Sequence, residues 1–233
     1  MLFVPIWDMN HLKKVKFEYV TTTLIAVNVI VYLVFETDLI FPTHANLLQT
    51  LSLHPRNVVP FGSFVLHMPE QFKLITYMFI HGSFLHLLGN MIFLFVFGDN
   101  VEDALGHIRF IFFYLLCGVT AALVHSYATT SPDLPLVGAS GAISGVIGAY
   151  LLLHPNIRVW VLLPLPKLPF VPLRFSAALV IGVWIIFQIA SALLLPGGAT
   201  AWWAHVGGFF AGMLLVTIMK RPDVRLFDMA TGV

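Results

Sequence analysis

Apolar residues in this chain gather into long runs separated by short polar interruptions, and the runs set the element count. Five of them, at about 19–37, 84–103, 107–127, 174–195 and 201–219, are long enough for a helix to cross a hydrocarbon layer, which takes about 20 residues. A sixth run at about 140–154 has a shorter apolar core, 141–153. At ~1.5 Å per residue that core covers only about 20 Å of a roughly 30 Å layer, so one of its ends is expected to start inside the membrane. Irregular backbone at such depth must be buried in protein or face water, which singles out the preceding loop, 131–139. The pattern predicts an all-α, six-span bundle at 19–219, flanked by an amphiphilic head, 1–18, and a polar tail, 220–233. The long first loop, 36–83, is too apolar for disorder and is expected to lie partly in the membrane interface.

Composition agrees: 59% of residues are hydrophobic, 10% are charged, and the mean hydropathy is +0.92. The net charge of +1 says little, but the placement of the cations says more. With the N-terminus in the cytoplasm, six spans put Lys13, Lys14, Lys16, Arg109, Arg158, Lys167, Arg174, Lys220, Arg221 and Arg225 inside, and only Arg56 and Lys73 outside. This positive-inside bias predicts a multi-pass protein of a cell membrane with both termini cytoplasmic. The first apolar run follows three lysines and lacks a cleavage pattern, so it reads as a span and not as a signal peptide. The single cysteine, Cys117, excludes an intrachain disulfide and a cysteine-based metal site. No glycine-rich phosphate loop is present, and most cations sit at span ends, so neither nucleotide nor nucleic acid is an expected partner.

Chemistry is concentrated in three short segments. In Val137-Gly-Ala-Ser140-Gly-Ala-Ile-Ser-Gly-Val-Ile-Gly148, the glycines 138, 141, 145 and 148 recur at spacings of three and four, a stripe that admits another backbone at close range. Such stripes also occur in helices that only pack. Packing leaves unexplained a serine at the start of a span, where free helix N–H groups can receive developing negative charge. In the last span His205, Gly208 and Gly212 fall at i, i+3 and i+7, so a candidate base shares the face that can pack closely. A neutral imidazole there can accept the proton of Ser140, although a histidine in a span can also be structural. At the head of the second span His86 and Asn90 are four residues apart on one face. Both can donate hydrogen bonds to an oxyanion, or simply bridge helices.

Topology supplies an independent check. Spans two, four and six run in one direction, so His86, Asn90, Ser140 and His205 all fall in the same, outer half of the layer. Spans four and six contain no Asp or Glu; a Ser-His dyad is therefore expected in place of a triad, with His205 oriented by packing or backbone contacts. His81, His86 and His205 could in principle ligate a metal, but the spacing is not that of a zinc protease, no carboxylate is at hand as its base, and no metal or other cofactor is expected.

His86-x-x-x-Asn90, Gly138-Ala-Ser140-Gly141 and Ala204-His205-x-x-Gly208-x-x-x-Gly212, in that order on six spans, resemble the rhomboid family of intramembrane serine proteases over roughly residues 19 to 219. The resemblance implies a dyad of Ser140 and His205, with His86, Asn90 and the Ser140 N–H around the oxyanion. It implies a water-filled cavity open to the outside, in a prokaryotic inner membrane for members of bacterial type. Its implied substrates are single-span membrane proteins whose helices unwind locally and are cleaved beside small residues. Three departures stand out. Phe72-Lys73 replaces a common Trp-Arg, and lysine cannot copy the planar fork of arginine. Glu102-Asp-Ala104 replaces Glu-x-Arg, so the usual internal ion pair at the cytoplasmic end is expected to be missing. Ser144 stands where some members stack a ring on the histidine. The competing readings are an inactive rhomboid-like protein that binds transmembrane clients, and a small transporter. Four retained site residues argue against the first, and the lack of a second broken helix argues against the second.

Overall fold

The computed structural model describes residues 3–36, 50–58, 68–165, 168–195, 197–198 and 200–228. Its helices are α1 (Tyr19–Val31), α2 (Met68–Thr76), α3 (Phe84–Leu105), α4 (His107–Ala128), α5 (Ser140–Leu153), α6 (Ala177–Leu194) and α7 (Trp202–Met219). Four of them, α3, α4, α6 and α7, are long and apolar enough to cross a membrane, whereas α1 and α5 are shorter apolar helices. α1 runs on into a π-helical turn at Tyr32–Glu36. Much of the long first loop, 37–49 and 59–67, lies outside the described residues, which include the short helix α2 and a 3-10 turn at Tyr77–Phe79 that leads into α3.

The expectation of an all-α protein needs correction. Three strands, β1 (Val4–Asp8), β2 (Arg158–Leu165) and β3 (Leu168–Ser176), form an antiparallel sheet in the order β1-β2-β3. The head of the chain thus pairs with the segment between α5 and α6: Trp7 lies opposite Trp160, and Val159 opposite Phe175. Val159 and Val161 point into the core while Arg174 stacks on Trp160, its guanidinium 4.5 Å from the ring centre. Prolines obscured these strands in the sequence. Proline cannot donate to a ladder and is confined to edges and bulges, and Pro5, Pro169 and Pro172 all sit on the two edge strands. Pro164 falls in β2 where the register shifts, between Leu163 and Leu165.

The bundle core is the pair α5 and α7, with α4 behind them. A Cβ on Gly208 would collide with the carbonyl of Gly141, and one on Gly212 with the backbone of Gly145. The two glycine stripes therefore lie against each other with their backbones in contact, the arrangement that dispersion favours where lipid provides no hydrophobic driving force. Cys117 is fully buried beside Gly145. Because α3, α5 and α7 run in parallel, their N-termini meet at one end of the bundle, and the basic segments 13–16 and 220–225 meet at the other.

At that basic end, α3 finishes in two carboxylates that hold the head of the chain. Glu102, fully buried, accepts from the Val20 and Thr21 amides at 2.9 and 2.8 Å, from Thr21 Oγ1 at 2.7 Å, and pairs with His107 Nδ1 at 2.5 Å. Asp103 accepts from the amides of Lys13, Lys14 and Val15 at 3.0, 2.6 and 2.6 Å. Position 104 holds Ala where the expected pair would need Arg, and Glu102 instead bonds His107 and the first-turn N–H groups of α1, orphan donors that attract negative charge.

Candidate active site

Ser140 is the first residue of α5, and its neighbourhood is built by the loop before it. That loop is stitched into the protein at every step. Leu53 and Leu136 exchange both backbone hydrogen bonds, at 3.1 and 2.7 Å, and the Gly138 amide donates to the Tyr77 carbonyl at 2.9 Å. The Ala139 amide donates to His81 Nε2 at 3.5 Å. His81 is fully buried, and burial, reinforced by nearby His86, pushes its pKa down to about 3, so its ring is a neutral acceptor. These bonds meet the demand that irregular backbone inside a membrane be paired within the protein. They also commit His81 to shaping the loop.

Gly138 is the hinge of this construction. Its φ of +105° lies in the left-handed region that favours glycine, and a Cβ there would lie 2.6 Å from His86 Cε1. No other residue lets the chain pass so close to the His86 ring and still turn into α5. Ser83 caps α3, its hydroxyl accepting the His86 amide at 3.2 Å, which fixes the helix turn carrying His86 and Asn90.

The candidate pair meets directly: His205 Nε2 is 2.9 Å from Ser140 Oγ. Both residues line a cavity of about 550 Å³ whose polar end also includes His86, Asn90 and Gln188. Asn90 is 7% exposed, and its Nδ2 has no partner among the described residues. The amides at the start of α5 have no carbonyl of their own helix to bond, so the cavity holds the Asn90 amide and a helix N-terminus at the same end. Away from this polar end the cavity is apolar. Gly89 and Phe93 of α3 form one wall, Trp184 and Phe187 of α6 the other, and Phe3, just before β1, closes one end against Phe93. A trough with a polar end and apolar walls suits an extended, largely apolar peptide.

Two sequence readings bear on the surroundings of His205. Ser144 does not touch the ring; its hydroxyl donates back to the Ser140 carbonyl at 2.6 Å. Its aromatic neighbours are Trp184 of α6 at 6.2 Å and Trp202 of its own helix α7 at 6.1 Å between ring centres. Nor is His205 held by packing or backbone alone, as expected, because His205 Nδ1 lies 2.7 Å from Gln188 Oε1 of α6. The sequence did carry that signal: Gln188 is the one amide side chain in a run of 18 residues whose only other polar side chain is Ser191, and polar groups inside spans are functional candidates by default. Of the other candidates, Gly141, Gly145, Gly208 and Gly212 lie behind the site at the α5–α7 contact. Among the described residues no cluster of His, Cys, Asp or Glu is arranged to hold a metal ion.

Comparison with known proteins defines the class. The Rhomboid domain family matches residues 69–222, well over half of the chain. RHOMBOID-like protein 5 of Arabidopsis thaliana is 32% identical over 155 residues, covering 66% of this chain and 46% of that protein. "Putative rhomboid protease YdcA" of Bacillus subtilis is 33% identical over 132 residues, covering 57% and 61%. "Rhomboid protein 1, mitochondrial" of Saccharomyces cerevisiae is 27% identical over 158 residues, covering 64% and 42%. The chain belongs to the rhomboid family, is an integral multi-pass membrane protein, and spans about half the length of the curated relatives it matches.

Proposed function

We propose that this chain is an intramembrane serine endopeptidase that hydrolyses peptide bonds in or near the transmembrane helices of single-span membrane proteins. The observation that carries the reading is the 2.9 Å approach of His205 Nε2 to Ser140 Oγ, inside a cavity also lined by Asn90, whose Nδ2 has no partner among the described residues.

The chemistry follows from the atoms. Ser140 Oγ attacks the scissile carbonyl carbon as His205 Nε2 takes its proton. The carbonyl oxygen gains negative charge and is received by Asn90 Nδ2, His86 and the Ser140 N–H. His205 then returns the proton to the leaving amine, the C–N bond breaks, and an acyl ester remains on Ser140. Water, deprotonated by the same imidazole, attacks the ester carbonyl, and as the bond to Ser140 Oγ breaks the imidazolium returns the proton to that oxygen. No acid in contact with His205 and no metal or cofactor is required. A substrate helix must unwind to present its carbonyl, because a helical carbonyl is already hydrogen-bonded, and glycine, a weak helix former, lowers the cost of that unwinding. In the membrane we place six spans, adding α1 and α5 to the four long helices. Both termini face the cytoplasm and the cavity opens to the opposite side, in the inner membrane of a prokaryotic cell.

The test is cleavage of a transmembrane reporter by the protein reconstituted in liposomes, together with fluorophosphonate labelling. Wild type is expected to cleave and to be labelled at Ser140, and Ser140→Ala and His205→Ala are each expected to lose at least about 10³-fold in rate. Cleavage that survives Ser140→Ala would sink the mechanism. Binding of transmembrane clients with neither cleavage nor labelling in the wild type would establish the inactive, client-binding reading instead.

A further inference from the structure

We infer that Gln188 is a third member of the reacting assembly, a positioning residue that selects the tautomer of His205; the inference builds on the serine-protease reading above. The imidazole has two nitrogens with opposite tasks. To take the Ser140 proton, Nε2 must present its lone pair, which puts the ring proton on Nδ1. That proton then needs an acceptor, and Gln188 Oε1 lies 2.7 Å away. Oε1 cannot donate, so the contact is a hydrogen bond only when Nδ1 carries the proton. One bond thereby fixes both the rotation of the ring and its reactive tautomer.

The spacing of side chains on α6 and α7 makes the arrangement specific. Trp184 and Gln188 are i and i+4 on α6, and Trp202 and His205 are i and i+3 on α7, so each helix brings one indole and one polar group to the same slot. Both indoles neighbour the ring of His205, with centre distances of 6.2 and 6.1 Å, while Gln188, 5% exposed, meets Nδ1, the nitrogen that does not face Ser140. An amide performs here the orienting part of what an aspartate does in a serine triad, without introducing a buried charge into an apolar layer. It offers no countercharge to the imidazolium, so its contribution is to geometry and tautomer.

The experiment compares Gln188→Met, Gln188→Glu and wild type in liposomes, with three readouts. Gln188→Met keeps the length and burial but removes the acceptor; kcat is expected to fall about 10- to 100-fold, with KM and the thermal unfolding midpoint unchanged. Gln188→Glu restores an acceptor and is expected to recover activity to within a few-fold of wild type, which a purely structural role would not do. The third readout is the nitrogen-15 spectrum of labelled histidine, with the His205 signals assigned by their loss in His205→Ala. It is expected to show a proton on Nδ1 in wild type and Gln188→Glu, and a tautomer mixture in Gln188→Met. Wild-type kcat in Gln188→Met, or an unchanged tautomer, would overturn the inference. Should the wild type neither cleave nor be labelled, the protease reading fails while the tautomer spectrum still decides the role of Gln188.

Discussion

Polar side chains are buried at both ends of α3, and they are treated in opposite ways. At the basic end Glu102 and Asp103 are saturated with donors from the head of the chain, and Asp8 is bonded by Tyr150, Asn100 and the Asn10 amide. At the other end Asn90 lines a cavity with its Nδ2 unpartnered among the described residues, and His205 meets Ser140 directly on the wall of that cavity. A buried polar group left unpaired costs free energy, whereas one that is fully bonded fixes structure. The same helix therefore anchors the fold at one end and at the other holds donors in reserve for a charge that exists only during reaction.

The largest effect that would break this contrast is at Glu102. Glu102→Ala strands two amides, a hydroxyl and His107, and removing one partner from a buried charged network costs about 3 to 5 kcal/mol. The unfolding midpoint in detergent is expected to drop accordingly, while the turnover per folded molecule stays at the wild-type level. Asn90→Ala is the mirror image. Losing one oxyanion donor costs about 2.7 to 4 kcal/mol of transition-state stabilisation, or roughly 10²- to 10³-fold in kcat. Stability is expected to hold or rise slightly, because an unsatisfied buried amide is removed. If Asn90→Ala unfolded the protein as Glu102→Ala does, Asn90 would be a helix bridge and the contrast would fail.

Which of these features could be read beforehand follows the same division. Ser140, His205, His86 and Asn90 stand out because a polar residue in an apolar run is anomalous, and because parallel helices bring their starts to one level. The glycine stripes were legible for a related reason: their spacing of three and four has meaning only on a helix face. Gln188 is no less anomalous than those residues, yet its role depends on which helix stands opposite His205, and spacing within one helix does not contain that. The sheet was hidden because its pairing is nonlocal, joining Trp7 to Trp160, and because prolines, tolerated on edge strands, look like strand breakers when only the local sequence is read. Glu102 was misjudged because the missing arginine was visible, whereas the amides of Val20 and Thr21, some 80 residues away, were not.

Asp8 gives the smallest of the three effects and the one most specific to the basic end. Its carboxylate joins β1 to α3 and α5: Tyr150 donates at 2.5 Å and Asn100 Nδ2 at 3.0 Å to Oδ2, with the Asn10 amide at 3.4 Å on Oδ1. Burial pushes its pKa from 3.8 up to about 6, outweighing the hydrogen bonds from Tyr150 and Asn10 and the charge of His11, which all pull the other way. Asp8 binds its proton more tightly folded than unfolded, so its contribution to stability is fully present below pH ~4 and is lost as pH rises through ~6. The loss amounts to roughly 3 kcal/mol. The unfolding free energy of wild type, measured against Asp8→Asn at each pH, is expected to fall relative to the variant between pH 4 and 6.5. A difference that stays flat across that interval would mean Asp8 is charged at no cost in the fold. Cleavage at the far end of α3 is expected to ignore the substitution, since no reacting group there contacts the Asp8 cluster; a changed kcat in Asp8→Asn would show that the two ends of the helix are coupled.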